Sequence, residues 1–441
     1  MRLGILTSHP IQYQAPWFRG LAQVVDLEVF FAHRQSAVEQ GKAGFGVAFE
    51  WDVDLLSGYR HRFLKNVSNK PGVDLFFGCD TPEIAEIIGE KIADGRSKIE
   101  AGNYAPSPIS HLPSPTRFDA FIVTGWHLKS YWQAVRACRR TGVPVLVRGD
   151  SQLLTPRSLL KRWAKELVHR ALLRQFDGFL TVGQRNREYL AHYGVPPGKI
   201  FRAPHFVDNE WFSGKAEIAR KQKAEIRQKL EISEDAFCVL FVGKFIPKKR
   251  PLDLVAAVQI LTAENAKKAK HTIKRPVHLL FVGSGELGTQ LRASTSVVFD
   301  AESPISQPST INHQFPPASF AGFKNQSELP HYYAAADVLV LPSDGGETWG
   351  LVVNEAMACG LPAVVSDVVG CALDLIEEGQ TGFTFPLGDR QALSSRLQQV
   401  ADLRKSGADL RPALTEKLRV YSVNTAVEGT VEALKKLKSR K

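Results

Sequence analysis

Short apolar runs at 3–7, 27–31, 120–124, 143–147 and 178–182 alternate with segments of helical spacing, and the series starts again at 237–242, 277–282, 336–341 and 363–366. Parallel strands cannot be joined by a tight turn, so strand, helix, strand in succession builds a parallel sheet through helical crossovers. Two such series, joined by a connection near 207–215, predict an α/β chain of two doubly wound parallel-sheet domains. The length of 441 residues supports two full hydrophobic cores. The expected division is 1–210, 211–414, and a helical segment 415–441 that packs back on the first domain. Two stretches break the rhythm and read as loop insertions. One is 94–116, with Gly, Ser and four prolines, and the other is 294–319, rich in Ser, Pro and Gln.

Ligands of such sheets bind beyond the carboxyl ends of the strands. The run 336–341 leads through a glycine-rich turn, Pro342 to Gly350, into a helix that Thr348 is placed to cap and that Gly360 and Pro362 stop. The first amides of that helix, on Gly350, Leu351 and Val352, and the positive end of its dipole suit a phosphate. Glu347 stands beside this anion site, and Glu355 follows with seven residues between them, about two helical turns along. An ionised carboxylate only accepts hydrogen bonds, and sugar hydroxyls donate them. The pattern therefore asks for a sugar nucleotide, with Glu347 and Glu355 on hydroxyl groups; the alternative for Glu355 is an ordinary mid-helix glutamate.

Two further strand ends carry compatible chemistry. The run 237–242 enters Gly243-Lys244-Phe245-Ile246-Pro247-Lys248-Lys249-Arg250, where a glycine turn leaves room beside cations. Lys244 and Lys249 either pair with a diphosphate or form a solvated loop. The run 277–282 enters Gly283-Ser284-Gly285-Glu286, which permits close backbone approach to a base or ribose.

Net charge is +11, partly concentrated at the C-terminus, where Lys435, Lys436, Lys438, Arg440 and Lys441 face one acid, Glu432. An anionic membrane surface is an expected partner. The segment 158–174 puts Leu159, Leu160, Trp163, Leu167 and Ala171 at helical spacing, with Lys161, Arg162, Lys165 and Arg170 elsewhere. It is either a domain helix with a solvated basic face or a bilayer-docking helix. Nucleic acid is not expected, because no basic stripe with interleaved aromatics is present. Five scattered cysteines without a CxxC pair support neither a disulfide framework nor a zinc site. With no membrane-length apolar run and no signal-peptide pattern, the expected location is cytoplasmic, peripheral on the inner face of a membrane.

With these motifs assembled, the chain resembles the retaining family 4 glycosyltransferases of the two-domain GT-B fold. The resemblance rests on Glu347 and Glu355 in an EX7E frame, on Gly243-Lys244 and Lys249, on 322–337 and Gly379 to Gly382, and on Pro204-His205-Phe206-Val207-Asp208 between the domains. It implies that 1–210 is the acceptor side and 211–414 binds the nucleotide sugar. Glu347 would bind donor-sugar hydroxyls, Glu355 the ribose, Lys244 and Lys249 the diphosphate, and Gly243, Gly283, Thr348, Gly350, Leu351 and Val352 would complete the donor site. No cofactor and no obligatory metal are implied, and no DxD-type cluster lies in a plausible loop.

The N-terminal half departs from the family pattern. Where many members carry a glycine pair after the first strand, this chain has Ser8-His9-Pro10-Ile11-Gln12-Tyr13-Gln14-Ala15-Pro16-Trp17. This is either an acceptor loop, with His9, Gln12, Tyr13 and Gln14 on sugar hydroxyls and Trp17 under a ring, or a rigid connection. Where members place a histidine near the reacting centre, Arg148-Gly149-Asp150-Ser151 stands, so Asp150 or Arg148 replaces it; His127 is a further candidate, with a structural role as its alternative. The expected activity is transfer of a sugar, with retention, to a carbohydrate or lipid-linked acceptor in cell-surface polysaccharide or glycolipid synthesis. The alternatives are an epimerase or phosphorylase on the same fold and a sugar-nucleotide-binding partner without chemistry.

Overall fold

The computed structural model describes residues 1–42, 46–89, 117–156, 158, 166, 168–267, 276–302 and 315–439. Among these described residues fourteen strands form two seven-stranded sheets, and every pairing among them is parallel. The first contains β1 (Arg2–Thr7), β2 (Asp26–Phe31), β3 (Arg60–Phe63), β4 (Ala120–Val123), β5 (Val145–Gly149), β6 (Gly178–Thr181) and β7 (Ile200–Arg202), in the order β3-β2-β1-β4-β5-β6-β7. The second contains β8 (Phe237–Val242), β9 (Val277–Val282), β10 (Ser296–Asp300), β11 (Pro317–Phe320), β12 (Val338–Leu341), β13 (Ala363–Ser366) and β14 (Gly382–Phe385), in the order β10-β11-β9-β8-β12-β13-β14. Helices cover both faces of each sheet, which explains why strands such as Phe-Cys-Val-Leu-Phe-Val in β8 are apolar throughout and wholly buried. These are two Rossmann-like domains.

In each sheet the chain winds outward from one central strand and then returns to that strand's other side. The return falls between β1 and β4 in the first sheet and between β8 and β12 in the second. At such a reversal the loops leaving neighbouring strands diverge and open a crevice. The loops after β1, β4, β8 and β12 therefore define where a ligand can sit.

Several expectations need correction. The segment 294–319 is not a plain insertion: β10 and β11 lie at its two ends and add an edge to the second sheet. Its middle, the whole of 94–116, and residues 159–165 and 167 of the basic segment 158–174 lie outside the described residues. The C-terminal segment is two helices, Arg411–Arg419 and Val423–Lys438, because the chain breaks at 420–422 and Ser422 caps the second through Thr425 N. That last helix packs Ala426, Ala433 and Leu434 with Leu3, Ile5 and Phe18 of the first domain. Its Gly429 passes so close to β7 that a Cβ there would lie 1.7 Å from the Arg202 carbonyl oxygen. Trp17 is sealed beneath it with Nε1 donating to Thr430 Oγ1 at 3.3 Å, so of its two readings the one that stacks it on a ligand ring does not hold.

Candidate functional site

β12 ends in the turn 342–350, and the helix Leu351–Ala358 follows. Gly350 occupies the N-cap position in a left-handed conformation, φ +102°, and a Cβ there would lie 2.7 Å from Leu341 Cδ2. Thr348 therefore does not cap the helix as predicted. Its hydroxyl instead donates to Asp150 Oδ2 at 2.6 Å, across to the first domain. The first amides of a helix have no intrahelical acceptor, and a helix start of this kind suits an anion.

Glu347 lies in the same turn and forms an ion pair with Lys249 Nζ at 2.5 Å, both side chains being largely buried. Burial alone would raise the carboxyl, but Lys249 and Lys248 outweigh it and hold Glu347 below its ordinary value. The turn and the lysine loop are joined through the backbone, Asp344 N donating to the Lys248 carbonyl at 2.9 Å. Lys244 is lowered by burial and then by Lys249 and Lys248, with Glu347 and Asp74 opposing. Three lysines thus gather at this turn, with Glu347 and Asp74 as the acids that act on Lys244.

Gly243 and Gly283 have a packing role. A Cβ on Gly283 would lie 2.0 Å from the Gly243 carbonyl oxygen, so the loops after β8 and β9 touch backbone to backbone. Glu355 lies deeper, on the buried face of its helix, and accepts from the Tyr333 hydroxyl at 2.6 Å. Burial pushes its carboxyl up to about 7, against the lowering effects of Tyr333 and Lys249. One of its oxygens is thus already engaged.

The loops after β1, β4 and β5 enclose a cavity of about 190 Å³ in the first domain, lined among others by Tyr13, Gln14, His127, Arg148, Asp150 and His205. Five of the predicted acceptor-side or catalytic residues thus come together: Tyr13, Gln14, His127, Arg148 and Asp150. Arg148 is committed to its own domain. Its guanidinium donates to the carbonyls of Pro204 at 3.0 Å and Ala203 at 3.4 Å and stacks near Trp17 and Phe206, and burial lowers it to about 10. Burial and then Arg148 hold His205 well below its ordinary value, so its imidazole is neutral. His127, on the rim, is lowered by burial against the raising effects of Asp150, Asp74 and a hydrogen bond with the Val73 backbone. Tyr13 is pushed up to about 12 by burial and then Asp150.

His9 and Gln12 do not line this cavity. His9 borders a smaller neighbour of about 150 Å³ with Arg34 and Phe63, and burial followed by His33 brings it to about 4. Gln12 is half-buried, and its Oε1 has no hydrogen-bond partner among the described residues.

Sequence reasoning missed Gln152 altogether, and it named His205 in the element between the domains and Tyr333 within 322–337 without giving either side chain its contact. Gln152 is wholly buried, and its Nε2 reaches across to the carbonyls of Gly345 at 2.8 Å, Glu347 at 3.0 Å and Val368 at 3.3 Å. His205 bridges the domains, its ring centroid 5.4 Å from that of Trp349 and 6.3 Å from that of Tyr13. Tyr333 holds Glu355. Gln152 continues the Arg148-Gly149-Asp150-Ser151 loop, and that continuity was the available signal. Among the described residues, no three His, Cys, Asp or Glu side chains are grouped to hold a metal, and no helix is long and apolar enough to cross a membrane.

Comparison with known proteins agrees with this arrangement in both halves. Residues 236–402 match the family model described as glycosyl transferases group 1, and residues 99–204 match that of a glycosyl transferase 4-like domain. A D-inositol 3-phosphate glycosyltransferase of Thermomonospora curvata is 24% identical over 320 residues, 70% of this chain and 67% of the relative. Its counterpart in Geodermatophilus obscurus is 32% identical over 200 residues, 44% of this chain and 39% of the relative. The chain thus spans about half the length of most curated relatives it matches. Among solved structures, Anabaena HepE in complex with UDP superposes with a TM-score of 0.63 at 15% identity, covering 99% of this chain and 100% of that one. Sucrose-phosphate synthase of Thermosynechococcus elongatus gives 0.63 at 18% identity, covering 100% of both chains. The second half of this chain thus carries a glycosyl transferases group 1 domain and the first half a glycosyl transferase 4-like domain, on two Rossmann-like domains with the GT-B fold.

Proposed function

We propose that the protein transfers a sugar from a nucleoside-diphosphate sugar to an acceptor hydroxyl with retention of configuration, in the synthesis of a cell-surface polysaccharide or glycolipid. The observation that carries this reading is the buried Lys249–Glu347 pair at a helix start, with Asp150 of the other domain bonded to the same turn. Lys244, Lys249 and the amides of Gly350, Leu351 and Val352 balance the diphosphate, whose charge grows as the anomeric carbon–oxygen bond breaks. Glu347 accepts donor-sugar hydroxyls, and Glu355 takes the ribose with the oxygen that Tyr333 leaves. The acceptor hydroxyl attacks from the face the diphosphate leaves, and its proton passes to the departing phosphate oxygen. No cofactor or metal enters this scheme.

The cavity beside Asp150 supplies the acceptor. Its lining offers hydroxyls, a neutral imidazole and an arginine already bound to backbone carbonyls, which suits an uncharged, hydroxyl-rich group. Tyr13, His127 and Asp150 orient that group, and Asp150 must exchange its bond to Thr348 for one to substrate as the site fills. Thermal unfolding with UDP-, GDP- and ADP-sugars tests the donor reading, because a ligand of the native state raises the midpoint with concentration. The expected result is a rise with one base. The solved relative holding UDP makes a UDP-sugar the first to try. No rise with any of the three, together with no transfer from labelled donors, would defeat the proposal.

A further inference from the structure

Between β3 and the helix Glu83–Ile88 the chain closes a loop on itself. Val67 N donates to the Asp80 carbonyl at 2.8 Å, Gly72 N to that of Gly78 at 3.1 Å, Asn66 Nδ2 to that of Gly78 at 2.8 Å, and Ser68 Oγ to that of Phe77 at 2.6 Å. Gly78 approaches Gly72 so closely that a Cβ there would lie 2.3 Å from the Gly72 carbonyl oxygen. The loop is therefore fixed by its own backbone bonds. Its tip nevertheless displays Leu75 at 65% exposure, Phe76 at 43% and Phe77 at 68%, with Val67 exposed at its base. The two phenyl rings pack edge to face with centroids 5.0 Å apart, which makes one continuous apolar knob. An apolar patch held rigidly in solvent marks an interaction surface.

Position and charge select the partner. The backbone of Val73 bonds the ring of His127 at the rim of the acceptor-side cavity, and Asp74 acts on both His127 and Lys244. The tip thus extends the lip of the cleft where acceptor and diphosphate sides meet. Arg62, Lys65 and Lys70 are exposed along the same stretch, in a chain of net charge +11.

We propose that this loop docks the protein on an anionic lipid bilayer. Leu75, Phe76 and Phe77 enter the boundary between headgroups and acyl chains, while Arg62, Lys65 and Lys70 meet the headgroup charge. Docking in this way sets the acceptor-side cavity at the membrane surface. The use of that placement for a lipid-linked acceptor rests on the transfer reaction proposed above, whereas the docking does not.

The test is flotation of the full chain with vesicles of equal parts phosphatidylglycerol and phosphatidylcholine, and with phosphatidylcholine alone, at low salt. The wild type is expected on the anionic vesicles, and a Phe76→Ser, Phe77→Ser double variant is expected to be retained at least ~10-fold less. The thermal midpoint of the variant should match the wild type, since both side chains are exposed. Equal retention of the two proteins, or no retention of the wild type, overturns the proposal. A wild-type dimer that the double variant dissolves, without vesicle binding, also overturns it and assigns the knob to a second copy. Vesicle binding without sugar transfer would refute the transferase reading and leave the docking loop standing.

Discussion

The two halves share one topology and put opposite chemistry at the same place in it. At the reversal of the second sheet, charged groups face each other: Lys249 holds Glu347, and Lys244 and Lys248 crowd the same space. At the reversal of the first sheet, charge is withdrawn: Arg148 is turned onto backbone carbonyls, and His205 and His9 are neutral. The difference follows from what each crevice would have to hold. A diphosphate needs cations that are unsatisfied without it, whereas a hydroxyl group needs dipoles whose own charges are already spent.

The sharpest way to break this contrast is Glu347→Ala. If the charged half positions and stabilises the reacting sugar, steady-state transfer should fall at least ~100-fold in a protein that remains folded. Near-normal turnover would remove Glu347 from the site.

Next in size is a pH effect confined to the donor half. The Glu355 carboxyl is raised from 4.5 to about 7 by burial. The native state therefore holds a proton that the unfolded state gives up between those values, so stability falls as pH rises from 4.5 to 7 and is level above. The contribution is fully present below pH 4.5, and its size is on the order of 3 kcal/mol. Denaturant unfolding as a function of pH should show that decline in the wild type and lose it in Glu355→Gln. An identical slope in the variant would place the titration elsewhere.

Arg148→Met tests the uncharged half. If Arg148 is a tether, its loss leaves the carbonyls of Ala203 and Pro204 without donors, and stability should drop by about 2 kcal/mol. The donor-induced thermal shift should be retained. A fully stable variant that has lost all acceptor use would show instead that Arg148 meets substrate charge, and the contrast between the halves would fail.

How much of this was readable beforehand depends on the range of the interaction. Strand β8 is a continuous apolar run, and β1 and β9 are broken only by Arg2 and Thr7 at the ends of the one and by His278 in the other, so their order follows from simple repetition. Arg-His-Arg-Phe in β3 carries no such signal because it is an edge strand open to solvent, and β10 and β11 are short pieces flanking a polar stretch. Within the site, the proximity of the lysine loop and Glu347 was legible because both leave strands that flank one reversal. The cap was not. Thr348 has the right side chain, but Gly350 can adopt the left-handed turn that starts the helix, and the hydroxyl was claimed by the other domain. Tyr333 on Glu355, and Gln152 on three carbonyls of the facing domain, require the folded chain, since neither partner lies within a helical turn or a strand register of the other.

Gln152 is also where the two halves can be separated most gently. Its side chain is neutral, and its amide joins the acceptor-side loop to the turn that carries Glu347 through backbone carbonyls. Gln152→Leu keeps the volume and removes the donors, while the Glu347 carbonyl still accepts from Gly370 N at 3.0 Å. The expected cost is about 1 kcal/mol, read as a small fall in the midpoint of unfolding. If the link sets the distance between donor sugar and acceptor hydroxyl, kcat should drop by more than that energy alone implies while the KM for donor stays nearly constant. A rise in donor KM with kcat unchanged would mean that Gln152 supports only the donor turn, and that the two crevices are positioned by the packing of His205 on Trp349 and of Asp374 on the start of the Gln184–His192 helix instead.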